Sequence, residues 1–314
     1  MTLNVINLSL LIEMQITIKC FVRRIVMNNY VIFTDSGCDT STEILNEWGI
    51  IKKDLTVRFE GSDKEYLDSE IPVKEFYQRM RDGEVAKTSA INSETFKEAF
   101  RPELEKGNDV LFVAFSSGIS TTYNSGRLAV EELKEEFPDR TLYAVDSLCA
   151  SVGNGLLLYM LSEKKKEGAT IDEAYQFLMD NRLSISHWFT VEDLKYLKRG
   201  GRISAASAFV GTVLNIKPVL HVDEEGKLIN MAKVRGRKAA LKALADKYTE
   251  TAIDPAKGPV FIGQTESMDD AKALGAMLKE RHGVDVQLYS DVGPVIGAHT
   301  GPGLVVMCFP GKER

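Results

Sequence analysis

The chain reads as an α/β protein in two units: a mostly parallel sheet covered on both faces, then an α+β unit with a mixed sheet. Three observations predict this. Short, nearly continuous apolar runs alternate with helical patterns through the first half, as expected of strands buried on both faces by helices. The rhythm changes near residue 184, where a hairpin pattern appears among helices and strands. The 314 residues, 44% apolar and 27% charged, are enough for two medium domains.

The elements follow in order. "YVIFTDSGCDT" is a buried strand over Tyr30 to Thr34 that stops at Asp35-Ser36-Gly37, and a helix follows over about Ser41 to Trp48. "DLTVRF" is the second strand. "IPVKEFYQRM" is helical, with Pro72 at its start, where a missing N–H costs nothing. "NSETFKEAF" begins another helix, with Asn92 or Ser93 as N-cap and Glu94 in the first turn. "DVLFVAF" is a strongly apolar strand, and "TYNSGRLAVEELKEEF" puts Val130, Leu133 and Phe137 on one helical face. "TLYAVDS" is the next strand, before a long helix from about Ala150 to Lys166.

After "IDEAYQFLMDNR" the second unit begins. "SISHWFT" is a strand, "VEDLKYL" a short helix closed by Gly200 and Gly201, and "ISAASAFVGTVLN" a helix of small residues. "KPVLHVDEEGKLINMAKV" has the alternation and central turn of a hairpin. "RKAALKALADKY", "PVFIGQ", "MDDAKALGAMLKERHG" and "VDVQLYS" continue as helix, strand, helix and strand. "GPVIGAHTGPG" is a constrained turn around His299. The expected division is a leader over 1–27, an α/β domain over 28–183 and an α+β domain over 184–314. The first 26 residues are apolar but carry Glu13 and Lys19, so they form no uninterrupted membrane span. They lack the basic start and cleavage site of a signal peptide. They read either as sequence upstream of a natural start at Met27 or as an extra segment packed on the body.

Bulk properties exclude several function classes. The formal charge is −6 and basic residues are interspersed with acids, which argues against nucleic-acid binding. The short cluster Lys233, Arg235, Arg237 and Lys238 reads as a solvated helix start. Cys20, Cys38, Cys149 and Cys308 are scattered without a CxxC pair. That fits a reducing cytoplasm and argues against a disulfide framework or a cysteine zinc site. His187, His221, His282 and His299 show no metal-binding spacing, so neither a metal nor a cofactor is expected.

Hydroxyls carry the functional signal. In "FVAFSSGISTTYNSGRL" an apolar strand stops at Ser116 and Ser117, and Ser120, Thr121 and Thr122 precede the next helix. "KTSAINS" and "TDSG" are two more hydroxyl loops at helix entrances. Ligands of open α/β sheets sit beyond the carboxyl ends of the strands, where helix N-termini attract anions. Helix capping accounts for any one loop; three together point to one anionic group held by neutral donors. No GxxxxGK[ST] occurs and no GxGxxG follows a strand, so a carboxylate fits better than a nucleotide. His299 is either a site residue or a hydrogen-bonded structural histidine. Arg202, ending a turn, reads equally as a solvated charge or a structural ion pair. Asp35 and Asp146 read as turn formers at strand ends, and His187 and His221 as strand filler.

Several segments together resemble the DegV family of bacterial fatty-acid-binding proteins: "VIFTDSGCD", "KTSAINSETF", "FSSGISTTYNSG", "VDSLCASVGNGLL", "LKYLKRGGRIS", "KPVLHVDEEGKL", "KVRGRKAAL" and "GPVIGAHTGPG". They run in the family's order from residue 30 to 309. The resemblance implies a two-domain DegV-like fold with one long-chain fatty acid in a buried tunnel. It implies a non-enzymatic, cytoplasmic lipid carrier that presents the carboxylate to a separate ATP-dependent fatty acid kinase subunit. The acyl phosphate formed would feed phospholipid synthesis, and the role allows transient membrane contact. By motif, Thr88 and Ser89, Ser117 and Ser120, and His299 are the implied carboxylate-binding residues. Arg202, from the GGR motif, is implied to order the site or face the kinase. This chain departs from the common TSxPS pattern at Ile91 and Asn92, and from SGT at Thr121. Apolar residues of "SAFVGTVLN" and "GLLLYML" are candidate tunnel walls, or plain core.

The alternative reading is a serine hydrolase acting on an acyl substrate, with Ser117 or Ser120, His299 and Asp146 as a triad. No GxSxG elbow supports it. A third reading is a regulatory protein without a ligand.

Overall fold

The computed structural model of the protein describes residues 29–204, 215–312 and 314. The leader over 1–26 and almost all of "SAFVGTVLN" lie outside the described residues.

Strand β1 (Tyr30–Asp35), helix α1 (Thr42–Glu47) and strand β2 (Ile50–Lys53) open a parallel sheet. The chain then leaves it for a separate antiparallel layer built from β3 (Thr56–Phe59), β4 (Glu65–Leu67), α2 (Val73–Arg81) and β5 (Ala86–Ser89), in strand order β4-β3-β5. Helix α3 (Ser93–Glu105) leads back to β6 (Asp109–Ala114), α4 (Thr122–Glu136) and β7 (Leu142–Asp146). The parallel sheet has the order β2-β1-β6-β7. Helices α5 (Val152–Lys166) and α6 (Ile171–Asn181) pass to the second sheet. Its elements are β8 (Ile185–Thr190), α7 (Lys195–Arg199), β9 (Ile216–Val222), β10 (Leu228–Arg235), α8 (Arg237–Thr251), β11 (Phe261–Gln264), α9 (Met268–His282), β12 (Leu288–Asp291), α10 (Pro294–Thr300) and β13 (Val305–Pro310). That sheet is mixed, in order β10-β9-β8-β13-β11-β12, with only β11 and β12 running parallel.

Local chemistry sets most boundaries. Ser41 caps α1 by accepting the Ile44 N–H, and Asn92 caps α3 by accepting the Thr95 N–H at 2.8 Å. Thr170 and Glu173 form a capping box at α6. Gly126 lets α4 lie directly on β6, because a Cβ there would overlap the Phe112 ring.

Two expectations need correction. "DLTVRF" is a strand, but it belongs to the small antiparallel layer and not to the parallel sheet. Its burial alternates, with Val57 and Phe59 inside and Arg58 exposed, as one wet face requires. Strand β6, by contrast, is buried from Val110 to Ala114. The "GPVIGAHTGPG" segment is not a turn: it contains helix α10, entered through Pro294 and ended by Gly301 at φ 73°.

One continuous apolar core joins the two sheets, running from Phe112 and Leu156 to Phe189, Val222 and Val306. A second core lies under α8 and α9, and a third joins the small layer to Tyr196 and Ala298.

Candidate functional site

The strand-end acids organise loops. Asp35 accepts N–H groups from Gly37 and Phe115, each at 3.0 Å. Burial pushes its carboxyl up to about 7, against those two bonds. Asp146 Oδ1 accepts from Ser117 (3.1 Å) and Leu148 (3.0 Å). Ser116 is buried and structural: its hydroxyl donates to the Gly226 carbonyl at 2.8 Å and accepts from Gly118 N at 3.0 Å. This seats the β9–β10 turn on the hydroxyl loop. The fit is close, since a Cβ at Gly118 would lie 2.6 Å from the Glu225 carbonyl.

A cavity of about 410 Å³ lies between these loops and the six-stranded sheet. Its walls are largely apolar, including Phe115, Ile119, Phe189, Val222, Leu304 and Val306. Thr88, Ser117, Ser120, Thr121, Arg202 and His299 supply polar groups. This composition, apolar walls with few convergent polar groups, is that of a small-molecule site.

The structure thus brings together Thr88, Ser117, Ser120, Arg202 and His299. Ser89 is not among them. It is exposed on β5 and its hydroxyl donates to Glu65 Oε1 at 3.1 Å. Neighbours on a strand point to opposite faces, so the TS pair cannot deliver both hydroxyls to one cavity.

His299 Nε2 lies 2.9 Å from Thr88 Oγ1. Its Nδ1 is buried and has no partner among the described residues. Burial, reinforced by Arg202 and Arg199, lowers its pKa to about 4, so the ring is neutral at pH 7. Gly200 of the GGR motif packs against this ring; a Cβ there would overlap Nδ1. Arg202 donates through Nε to the Ile119 carbonyl (3.0 Å) and through Nη1 to the Gly200 carbonyl (2.5 Å). It therefore ties the glycine turn to the hydroxyl loop and brings a positive charge to the cavity. Ser120 Oγ lies 3.0 Å from Thr122 Oγ1 and accepts the Thr122 N–H at 3.2 Å. It caps the entrance of α4 as well as lining the cavity.

Sequence reasoning missed His187. It is not filler, for it lines the cavity and joins β8 to the start of α5. A carbonyl can only accept, so Nδ1–H donates to Ile185 O at 2.7 Å, and Nε2 accepts the Ala150 N–H at 3.2 Å. Both nitrogens are satisfied in the neutral ring, and burial drives its pKa well down. Gly153 makes room, since a Cβ there would overlap the imidazole. No local sequence pattern announces this role. His221 instead stacks on Trp188, with centroids 4.3 Å apart. Leu156, Leu157, Leu158 and Leu161 of "GLLLYML" are plain core and do not line the cavity.

The hydrolase constellation is not assembled. Asp146 is bound to backbone amides, His299 to Thr88, and Ser120 to Thr122. Among the described residues, no group of three or more His, Cys, Asp or Glu side chains has metal-holding geometry. None of their helices is long and apolar enough to cross a membrane.

The DegV family model matches residues 29–311. The chain belongs to the DegV family. A DegV domain-containing protein of Clostridium perfringens, CPE0026, is 39% identical over 92% of this chain and 99% of its own length. Protein TM841 from Thermotoga maritima, whose structure reveals a fatty acid binding function, is 32% identical with a TM-score of 0.78, covering 90% of this chain and 99% of that one. A fatty-acid-binding DegV protein from Thermus thermophilus is 30% identical with a TM-score of 0.81, over 90% and 99% of the two chains. The parallel sheet followed by a mixed sheet is thus a DegV architecture.

Proposed function

We propose that this DegV chain is a cytoplasmic carrier of one long-chain fatty acid. The acyl tail occupies the cavity, and the carboxylate meets Thr88, Ser117, Ser120 and His299 with Arg202 beside them. One observation carries the reading: an apolar cavity of about 410 Å³ contains a cluster of hydroxyls, a neutral buried histidine and a guanidinium. When His299 Nε2–H donates to Thr88, the Thr88 hydroxyl proton is directed to the carboxylate. Burying about 14 methylenes at roughly 0.8 kcal/mol each offers on the order of 11 kcal/mol before binding costs. An unpaired carboxylate would cancel much of that, which is why the donors are needed.

The carboxylate is then presented to a separate ATP-dependent kinase subunit, which converts it to an acyl phosphate for phospholipid synthesis. The motif resemblance supports this step, as does the exposure of Ser117 and Thr121 beside the head-group donors. The two domains, 28–183 and 184–314, clasp the ligand between them.

Native mass spectrometry and lipid extraction of the purified chain test the carrier reading. One co-purified fatty acid per chain is expected. An empty chain that also fails to bind added fatty acid saturably overturns it. ATP-dependent acyl phosphate formation that needs both this chain and a kinase subunit tests the second step.

A further inference from the structure

Helix α10 is seven residues long and has no capping side chain at its own N-cap, Gly293. So short a helix does not persist alone in water, because nucleation outweighs the few bonds formed. Two buried carboxylates hold it from elsewhere in the fold. Asp39 Oδ1 accepts the Gly293 N–H at 2.8 Å, and Asp68 Oδ1 accepts the Val295 N–H at 2.8 Å. Pro294, between them, has no N–H to satisfy. Carboxyl oxygens are good acceptors for the free N–H groups that this end of a helix leaves without intrahelical partners.

The two acids come from different layers. Asp39 follows β1, and Asp68 follows β4 in the small antiparallel layer. They are only 7% and 8% exposed, and neither lines the cavity. Asp39 is itself in the left-handed region, φ 46°, and so is Ser151, φ 53°. Non-glycine residues hold such conformations only where their surroundings enforce them. Ser151, which lines the cavity, donates to Asp39 Oδ2 at 2.5 Å. Tyr77 adds a third clamp, its hydroxyl donating to the Val292 carbonyl at 2.8 Å.

We propose that Asp39 and Asp68 are positioning residues that fix helix α10 so that His299 meets Thr88 at the cavity. His299 lies four residues after Val295, on the same helical face. Pinning the Val295 N–H therefore sets the height and rotation of the imidazole. Without that anchor a small rotation of the helix separates Nε2 from Thr88 Oγ1. The proposal rests on the reading of the cavity as a carboxylate site.

The test compares binding of oleic acid and methyl oleate by displacement of a fluorescent fatty acid analogue. The wild-type chain prefers the acid. Asp68→Ala lowers that preference about tenfold, the scale of a lost hydrogen bond to a charged group. Asp68→Asn keeps an acceptor for Val295 N–H and restores the preference to within about twofold of wild type. Leu278→Ala, in the remote core under α9, lowers stability but leaves the preference unchanged. If Asp68→Ala does not fold, Asp68→Leu, of similar shape and without an acceptor, removes the same bond and is read in its place. Full preference for the acid in a folded variant lacking the acceptor overturns the proposal. A wild-type chain without the preference, or His299→Ala retaining it, overturns the head-group reading itself and is distinguishable from that result.

Discussion

The hydroxyl loop from Phe115 to Thr122 and helix α10 line the same cavity, yet they are held by different means. The loop is braced in part by neighbours in sequence, Ser116 taking the Gly118 N–H and Ser120 the Thr122 N–H, and in part from afar by Asp35, Asp146, Gly226 and Arg202. Helix α10 is braced by residues more than two hundred positions away, Asp39, Asp68 and Tyr77. A loop that caps itself announces its donors in a short stretch of sequence. A helix held from afar does not, and its side chains should be the more sensitive to distant change.

The largest expected effect breaks the site on the α10 side. His299→Ala removes the imidazole and leaves Thr88 unsupported. Fatty acid affinity in a displacement titration should fall by about 10- to 100-fold, the range for a hydrogen bond to a charged group. Next comes Gly200→Ala, whose new Cβ overlaps His299 Nδ1. Overpacking of this kind costs roughly 1–3 kcal/mol, so affinity should drop about tenfold or more with helical content unchanged. Unaltered affinity would show that the glycine turn does not restrain the ring.

On the loop side the effect is smaller. Ser120→Ala should weaken binding by about 2- to 10-fold and lower stability to urea by about 1 kcal/mol, since one hydroxyl serves both site and cap.

Changing pH sharpens the comparison further. Burial raises the Asp68 carboxyl to about 6 from its ordinary value of 3.8. The folded state therefore holds that proton more tightly, and its contribution is complete below about pH 4 and lost as pH rises through 6. Asp68→Asn should flatten the fall of the urea midpoint as pH rises from 4 to 6. His299 works in the opposite sense. Its pKa is lowered to about 4, so its contribution is present above pH 6.5 and lost as pH falls toward 4.

The smallest effect is expected from Ser89→Ala, less than about twofold in affinity, because its hydroxyl is bound to Glu65 outside the cavity. A larger loss would mean that β5 twists to present both hydroxyls when the ligand is bound.

The sequence by itself determined the alternation of buried strands and capped helices and the change to a mixed sheet, and its motif resemblance to the DegV family pointed to Thr88, Ser117, Ser120 and His299, which the structure places at the cavity. Those features rest on local periodicity, caps and short motifs, and local chemistry is written in consecutive residues. It could not separate Thr88 from Ser89, because that choice depends on which face of β5 meets the second sheet. It did not reveal His187, whose role needs α5 laid against β8. Nor did it reveal α10 as a helix, because the carboxylates that satisfy its first N–H groups arrive from other layers. Tertiary structure decided these points, for only packing brings a donor and an acceptor far apart in the chain within 3 Å of each other and removes the water that would otherwise satisfy both.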